Sequence, residues 1–146
     1  MNPKVKKDWT AALTSGKYRQ GREALKQVRH GHVYHCCLGV LCELYIAQVP
    51  GAPKFTPPDI DTLYEYEDQP GLPTSAVLKW AGLTRKEANR LAALNDGGDD
   101  SVDNKKQSFQ QIANYINKDS TTTSKPRFKV IRWENQHGRG TKRVRI

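Results

Sequence analysis

At 146 residues the chain has room for one ordinary domain with an appendage, and no apolar run approaches the ~18 residues that a membrane-crossing helix needs. The formal net charge of +9 is unevenly spread: of 24 Lys and Arg, eight (Lys125, Arg127, Lys129, Arg132, Arg139, Lys142, Arg143 and Arg145) lie in residues 125–146, where Glu134 is the only acid. A cationic block of this kind attracts phosphate, on nucleic acid or on a nucleotide; its other reading is a solubilising tail.

The opening residues, Met1 to Asp8, have no apolar stretch behind their lysines, so no secretory signal is expected. Three cysteines, two of them adjacent, do not suit a disulfide framework and fit a reducing cytoplasm.

Val5, Trp9, Ala12 and Leu13 recur at the helical period and predict a helix over residues 4–14, stopped at Ser15-Gly16. Between Gly16 and Gly21 stand Lys17, Tyr18, Arg19 and Gln20, with Arg22 just beyond. Cations bracketed by glycines, with an aromatic ring and an amide beside them, form a candidate phosphate cradle. A connecting turn with Tyr18 packed inward is the competing reading. Residues 23–34 carry mixed signals. Ala24, Leu25 and Val28 suit a short helical turn and Val33-Tyr34 a strand, with His30-Gly31-His32 in the turn between. A strand over 32–36 is expected to run into a central helix over 36–48, the most apolar stretch of the chain. Gly39 would let another element approach that helix closely, and Pro50-Gly51 would stop it.

Residues 49–73 hold six prolines and the acids Asp59, Asp61, Glu65, Glu67 and Asp68. Phe55, Leu63, Tyr64 and Tyr66 would pin this long loop over the core. Pro73-Thr74 opens a helix to about Ala81. Thr84-Arg85-Lys86-Glu87 is a capping box opening a helix with Leu91 and Leu94 inward, which ends at Asn95-Asp96-Gly97-Gly98. Ser108-Phe109-Gln110-Gln111 is a second box, and Phe109, Ile112, Ala113 and Ile116 share one face of its helix. The loop from Asp96 to Lys106 is acidic and glycine-rich. After a linker at 121–126, the alternation in Arg127–Val130 and Lys142–Ile146 predicts a basic β-hairpin. Its turn would fall within Glu134–Thr141, and Phe128, Val130, Val144 and Ile146 would face the domain. The other reading is a tail that orders only on binding. The expected organisation is a helical core domain over 1–120, the linker, and the hairpin tail over 127–146.

Four motifs in order carry a resemblance. They are Trp9-x3-Leu13-x-Ser15-Gly16-x-Tyr18-x-Gln20-Gly21, then Cys36-Cys37-Leu38-Gly39-Val40-Leu41-Cys42, then Leu91-Ala92-Ala93-Leu94-Asn95-Asp96, and Ser108-Phe109-x2-Ile112-Ala113-x2-Ile116. Over residues 5–117 the chain resembles a group of small bacteriophage-encoded proteins. The resemblance implies a viral protein acting in the cytoplasm of an infected bacterium, and it carries no catalytic residue with it. The basic tail and the histidines beside the cysteines lie outside that pattern.

His30, His32, His35, Cys36, Cys37 and Cys42 form the one dense His/Cys cluster, but they lack the paired Cys-x2-Cys spacing of a zinc knuckle, and core packing accounts for the cysteines. A thiol nucleophile at Cys36 or Cys37 would sit at a helix N-terminus, yet its neighbours are leucines and valine. Asp96, Asp99, Asp100 and Asp103 fail the calcium-loop pattern, because the sixth and twelfth positions counted from Asp99 are Asn104 and Gln110.

The expected fold is therefore α+β, mainly α: about five helices around a central apolar helix near 36–48, with a short strand and a C-terminal basic β-hairpin. The expected function is non-enzymatic binding of a phosphate-bearing ligand, either nucleic acid or a nucleotide defence signal. That would counter host defence or take over host processes, with no cofactor, metal or membrane. The candidate ligand-binding residues are Lys17, Tyr18, Arg19, Gln20 and Arg22, and on the hairpin Arg127, Lys129, Arg132, Arg139, Lys142, Arg143 and Arg145, with Trp133 for stacking. The alternatives are an inhibitor of a host protein and a cysteine-thiol enzyme.

Overall fold

In the computed structural model the chain runs α1 (Pro3–Thr14), β1 (Arg19–Gln20), β2 (Lys26–Arg29), β3 (His32–His35), α2 (Cys37–Gln48), α3 (Ser75–Ala81), α4 (Arg85–Asp96), α5 (Phe109–Lys118), β4 (Phe128–Asn135) and β5 (Gly138–Arg145). The structure describes residues 1–58, 62–97 and 106–118, and the backbone of 128–135 and 138–145. The fold is α+β and mainly α, as the periodicities predict.

Helix α2 is the axis. Cys37, Leu38, Gly39, Val40, Leu41 and Cys42 are all buried, so its first half has no solvent face and needs neighbours on every side. α1, α3 and α4 pack against it, and α5 packs on α1 and α4. α1 starts where the Asn2 side chain accepts the Lys4 and Val5 amides, at 3.0 and 3.3 Å, and it buries Val5, Trp9 and Leu13. The Trp9 indole N–H is wholly buried and donates to the Cys37 carbonyl at 2.9 Å, which fixes α1 against the start of α2.

Both expected helix caps form. At α4 the Thr84 Oγ1 accepts the Glu87 amide at 3.1 Å, and the Thr84 hydroxyl donates a hydrogen bond to Glu87 Oε1 at 2.8 Å. At α5 the exchange is fully reciprocal: Ser108 Oγ accepts the Gln111 amide, and Gln111 Oε1 accepts the Ser108 amide.

In place of the helical turn expected near Ala24, Leu25 and Val28, Ala24 and Leu25 form a bend and Val28 lies in β2, part of a three-stranded sheet in the order β1-β3-β2. β1 lies parallel to β3, and β2 antiparallel. The reason is Gly39. Its missing side chain leaves room for the Leu25 backbone, whose carbonyl oxygen occupies the place a Cβ would take. Laid against α2 in this way, Leu25 takes the Cys36 amide on its carbonyl and gives its own amide to Pro70, bonds that a helical turn would not make. His30 and Gly31, at φ 50° and 78°, form the two-residue turn between β2 and β3, with the left-handed geometry that matches strand twist.

The loop after α2 lies over the core as expected. Phe55 and Tyr66 are buried, Tyr64 is partly so, and residues 62–64 hydrogen-bond along the free edge of β2. The ladder of β4 and β5 runs from Phe128–Arg145 to Asn135–Gly138, so pairing extends through most of the stretch expected to be turn. Val144 pairs with Lys129, whereas Phe128 and Val130 pair with Arg145 and Arg143. The register thus sets position 144 out of step with 128 and 130, contrary to the expected shared face. The linker, the acids Asp59, Asp61, Asp99, Asp100 and Asp103, and Ile146 lie outside the described residues.

Candidate functional site

A buried polar junction sets the geometry of the candidate site. Asn95, at the last turn of α4, has no exposed surface. Its Oδ1 accepts the Cys37 amide at 3.2 Å and the Gln20 side-chain amide at 2.9 Å. Its Nδ2 donates to the Gly21 carbonyl at 2.9 Å and to Asp96 Oδ1 at 2.8 Å. Gln20 is equally committed: Nε2 also donates to the Gln107 carbonyl, and Oε1 accepts the Phe109 amide at 3.0 Å. All four motifs in the sequence thus meet at one point, joining β1 and the end of α4 to the N-termini of α2 and α5. Gly21 is needed there, because a Cβ would stand 2.8 Å from Tyr34 Cβ and 2.9 Å from Gln27 Nε2.

Gln20 and Gly21 of the junction also line a hollow of about 490 Å³, together with Arg22 and Glu23, with Gln27, Arg29, His30 and Tyr34 of the β2–β3 hairpin, and with Lys106. Arg22 is held in place by an Nη1 hydrogen bond to the Asn95 carbonyl, 2.7 Å, at the end of α4 where unpaired carbonyls favour a cation. Gln27 donates to the Arg22 carbonyl at 2.8 Å. Charges of both signs border the hollow, and among the described residues Arg29, Lys106 and the Glu23 carboxylate form no ion pair.

The structure divides the glycine-bracketed cradle expected at residues 17–22. Gln20 and Arg22 line the hollow, and Lys17, Tyr18 and Arg19 do not. Gln20 serves the fold rather than a ligand, because its amide is consumed by three internal bonds. Tyr18 packs edge-on against His35, with ring centres 5.0 Å apart, and Lys17 Nζ sits 5.3 Å above the Tyr18 ring. Arg19 pairs with Tyr34 in the sheet and is exposed. The side chains of Arg127, Lys129, Arg132, Trp133, Arg139, Lys142, Arg143 and Arg145 lie outside the described residues. Sequence reading missed Arg29, His30, Tyr34 and Lys106. Arg29 and Tyr34 carried a signal, since the His30-Gly31 turn puts charged and aromatic residues on facing strands. Lys106 carried none.

A second cluster lies beyond β3. His35 Nε2 is 3.2 Å from Glu43 Oε2, and Lys26 Nζ is 3.7 Å from the same oxygen. Lys26 also sits 5.0 and 4.5 Å above the Phe55 and Tyr64 rings. Burial by itself would raise the Glu43 carboxyl, but the His35 hydrogen bond and the Lys26 charge outweigh it and hold it below the usual carboxylate range. This is a packed ion-pair cluster, and it takes His35 away from the cysteines.

The three thiols are all buried. Burial pushes Cys36 up to about 12 and raises Cys37 and Cys42 well above the ordinary thiol range. Cys36 Sγ accepts the Gly39 amide as the cap of α2, and the Cys37 thiol donates to the Leu91 carbonyl. Such thiols resist ionisation, and in this structure they serve as core and cap groups. Among the described residues no group of three His, Cys, Asp or Glu is placed to hold a metal ion, and no helix is long and apolar enough to cross a membrane.

The model of a family described as a domain of unknown function (DUF8296) matches residues 1–120. No curated protein and no solved structure matches the chain.

Proposed function

The chain belongs to the DUF8296 family, a domain of unknown function, and from its cationic hollow we propose that it is a non-enzymatic binder of a phosphate-bearing ligand, nucleic acid or nucleotide. The observation that carries this reading is the grouping of Arg22, Arg29 and Lys106 around one concave space with Tyr34 in its wall. Arg22 is oriented in advance, so it loses little freedom when a phosphate arrives. Tyr34, in the wall of the hollow, would supply a ring for a base to stack on. The basic positions of the C-terminal hairpin would add long-range attraction that falls with salt. The motif resemblance supports a setting in the cytoplasm of a phage-infected bacterium, where such binding would counter a nucleotide defence signal or occupy nucleic acid.

The test is titration at low salt with short DNA and RNA oligonucleotides and with free nucleotides. Charge reversal at Arg29 and Lys106, which make no ion pair among the described residues, should weaken binding about tenfold or more. Absence of binding to every one of these ligands by the unaltered protein would sink the reading.

A further inference from the structure

We propose that Glu23 makes the hollow selective for ribonucleotides over 2′-deoxyribonucleotides, by accepting hydrogen bonds from the ribose hydroxyls. This deepens the reading of the hollow as a phosphate site and rests on it. Three observations point the same way.

First, Glu23 has φ 67°, in the left-handed region that a residue with a Cβ enters only at a cost. The surroundings impose that conformation: its amide donates to Asp96 Oδ1 at 2.9 Å, and the same oxygen is fixed by Asn95. Glycine would meet the backbone requirement without strain, so the backbone alone does not explain a carboxylate there. Second, the kink sets Arg22 and Glu23, consecutive residues, on the lining of the same hollow. Third, the carboxylate pairs with none of the described cations, although three of them border the hollow with it.

A site for phosphate alone would bind better without a negative charge. An ionised carboxylate only accepts hydrogen bonds, so it complements a ligand that carries donors a short distance from its phosphate. The hydroxyls of ribose are such donors, and an acidic residue opposite the ribose 2′-hydroxyl is a general solution to binding it. The two amides near Glu23 do not compete for the role. Gln20 is bound into the junction, and Gln27 donates to the Arg22 carbonyl.

The experiment titrates the full chain with ADP and UDP and with their 2′-deoxy counterparts, then repeats this with Glu23→Gly and Glu23→Ala. The unaltered protein should prefer each ribonucleotide by about tenfold. Both variants should lose that preference while still binding the diphosphates. Glu23→Gly should also raise Tm, because it relieves the left-handed strain, so loss of selectivity cannot be put down to unfolding. Equal binding of ribo and deoxy forms by the unaltered protein overturns the proposal, as does a preference that survives in Glu23→Gly. So does a Glu23 dependence seen with ADP and absent with UDP, which would assign the carboxylate to the adenine amine. Failure to bind any of the four nucleotides would also overturn it, and only if the DNA and RNA oligonucleotides fail as well is the phosphate site itself removed.

Discussion

The Asn95 side chain accepts the backbone N–H of Cys37 at 3.2 Å, so the first turn of α2 is capped by a residue 58 positions away at the end of another helix. The Cys36 thiol, in the local cap position, holds only the Gly39 amide, at 3.4 Å. Asn95→Ala would leave the buried Cys37 amide and Gly21 carbonyl without partners. Each such group costs ~1–3 kcal/mol, so a loss of about 3 kcal/mol or more is expected in urea denaturation. Asn95→Asp should do no better, because it sets a carboxylate oxygen against the Gly21 carbonyl and the Asp96 carboxylate.

Gly39→Ala tests the contact between α2 and the Leu25 backbone. The added methyl overlaps a carbonyl oxygen rather than the end of a movable side chain. A loss of about 3 kcal/mol or more is expected, read as a fall in Tm or failure to fold. Gly71→Ala, whose Cβ would meet nothing within 4 Å, should leave Tm unchanged.

The Glu43 cluster predicts a pH dependence. The carboxyl sits below its ordinary 4.5 in the folded protein, so the unfolded chain binds its proton more readily. The stability it contributes is complete above that ordinary value and is lost as pH falls through the lower, folded one. Glu43→Gln should cost about 1–2 kcal/mol at neutral pH and give a shallower decline on acidification. Chemical denaturation between pH 3 and pH 7 reads both effects.

The Tyr66 hydroxyl is buried and has no hydrogen-bond partner among the described residues, while its ring packs against Phe55 and Tyr45. Tyr66→Phe keeps the ring and removes an unpaid desolvation. It should be neutral or stabilising by up to about 1 kcal/mol, with Tm as the measure.

Much of the helical frame was legible because its signals are local. The run from Cys37 to Cys42 has no polar face, and the boxes at Thr84 and Ser108 announce their own helices. The sheet was less so. Leu25 looks helical by its neighbours but lies in a bend ahead of β2, where Gly39, fourteen positions on, admits its backbone. The same holds for the site. Lys17, Arg19 and Arg22 look alike in sequence, but only Arg22 reaches the hollow, because the Asn95 carbonyl draws it there. Gln20 resembles a ligand group in sequence, but its partners Asn95, Gln107 and Phe109 lie 75 to 89 positions away. Long-range hydrogen bonds leave no periodicity to detect.

The junction at Asn95 also bears on kinetics. It ties segments 58 to 89 residues apart, and closing loops of that length is entropically slow compared with winding the helices. If those bonds close after the rate-limiting barrier, weakening them hastens unfolding far more than it delays folding. The lifetime of the native state would then hang on two carboxamides, those of Gln20 and Asn95.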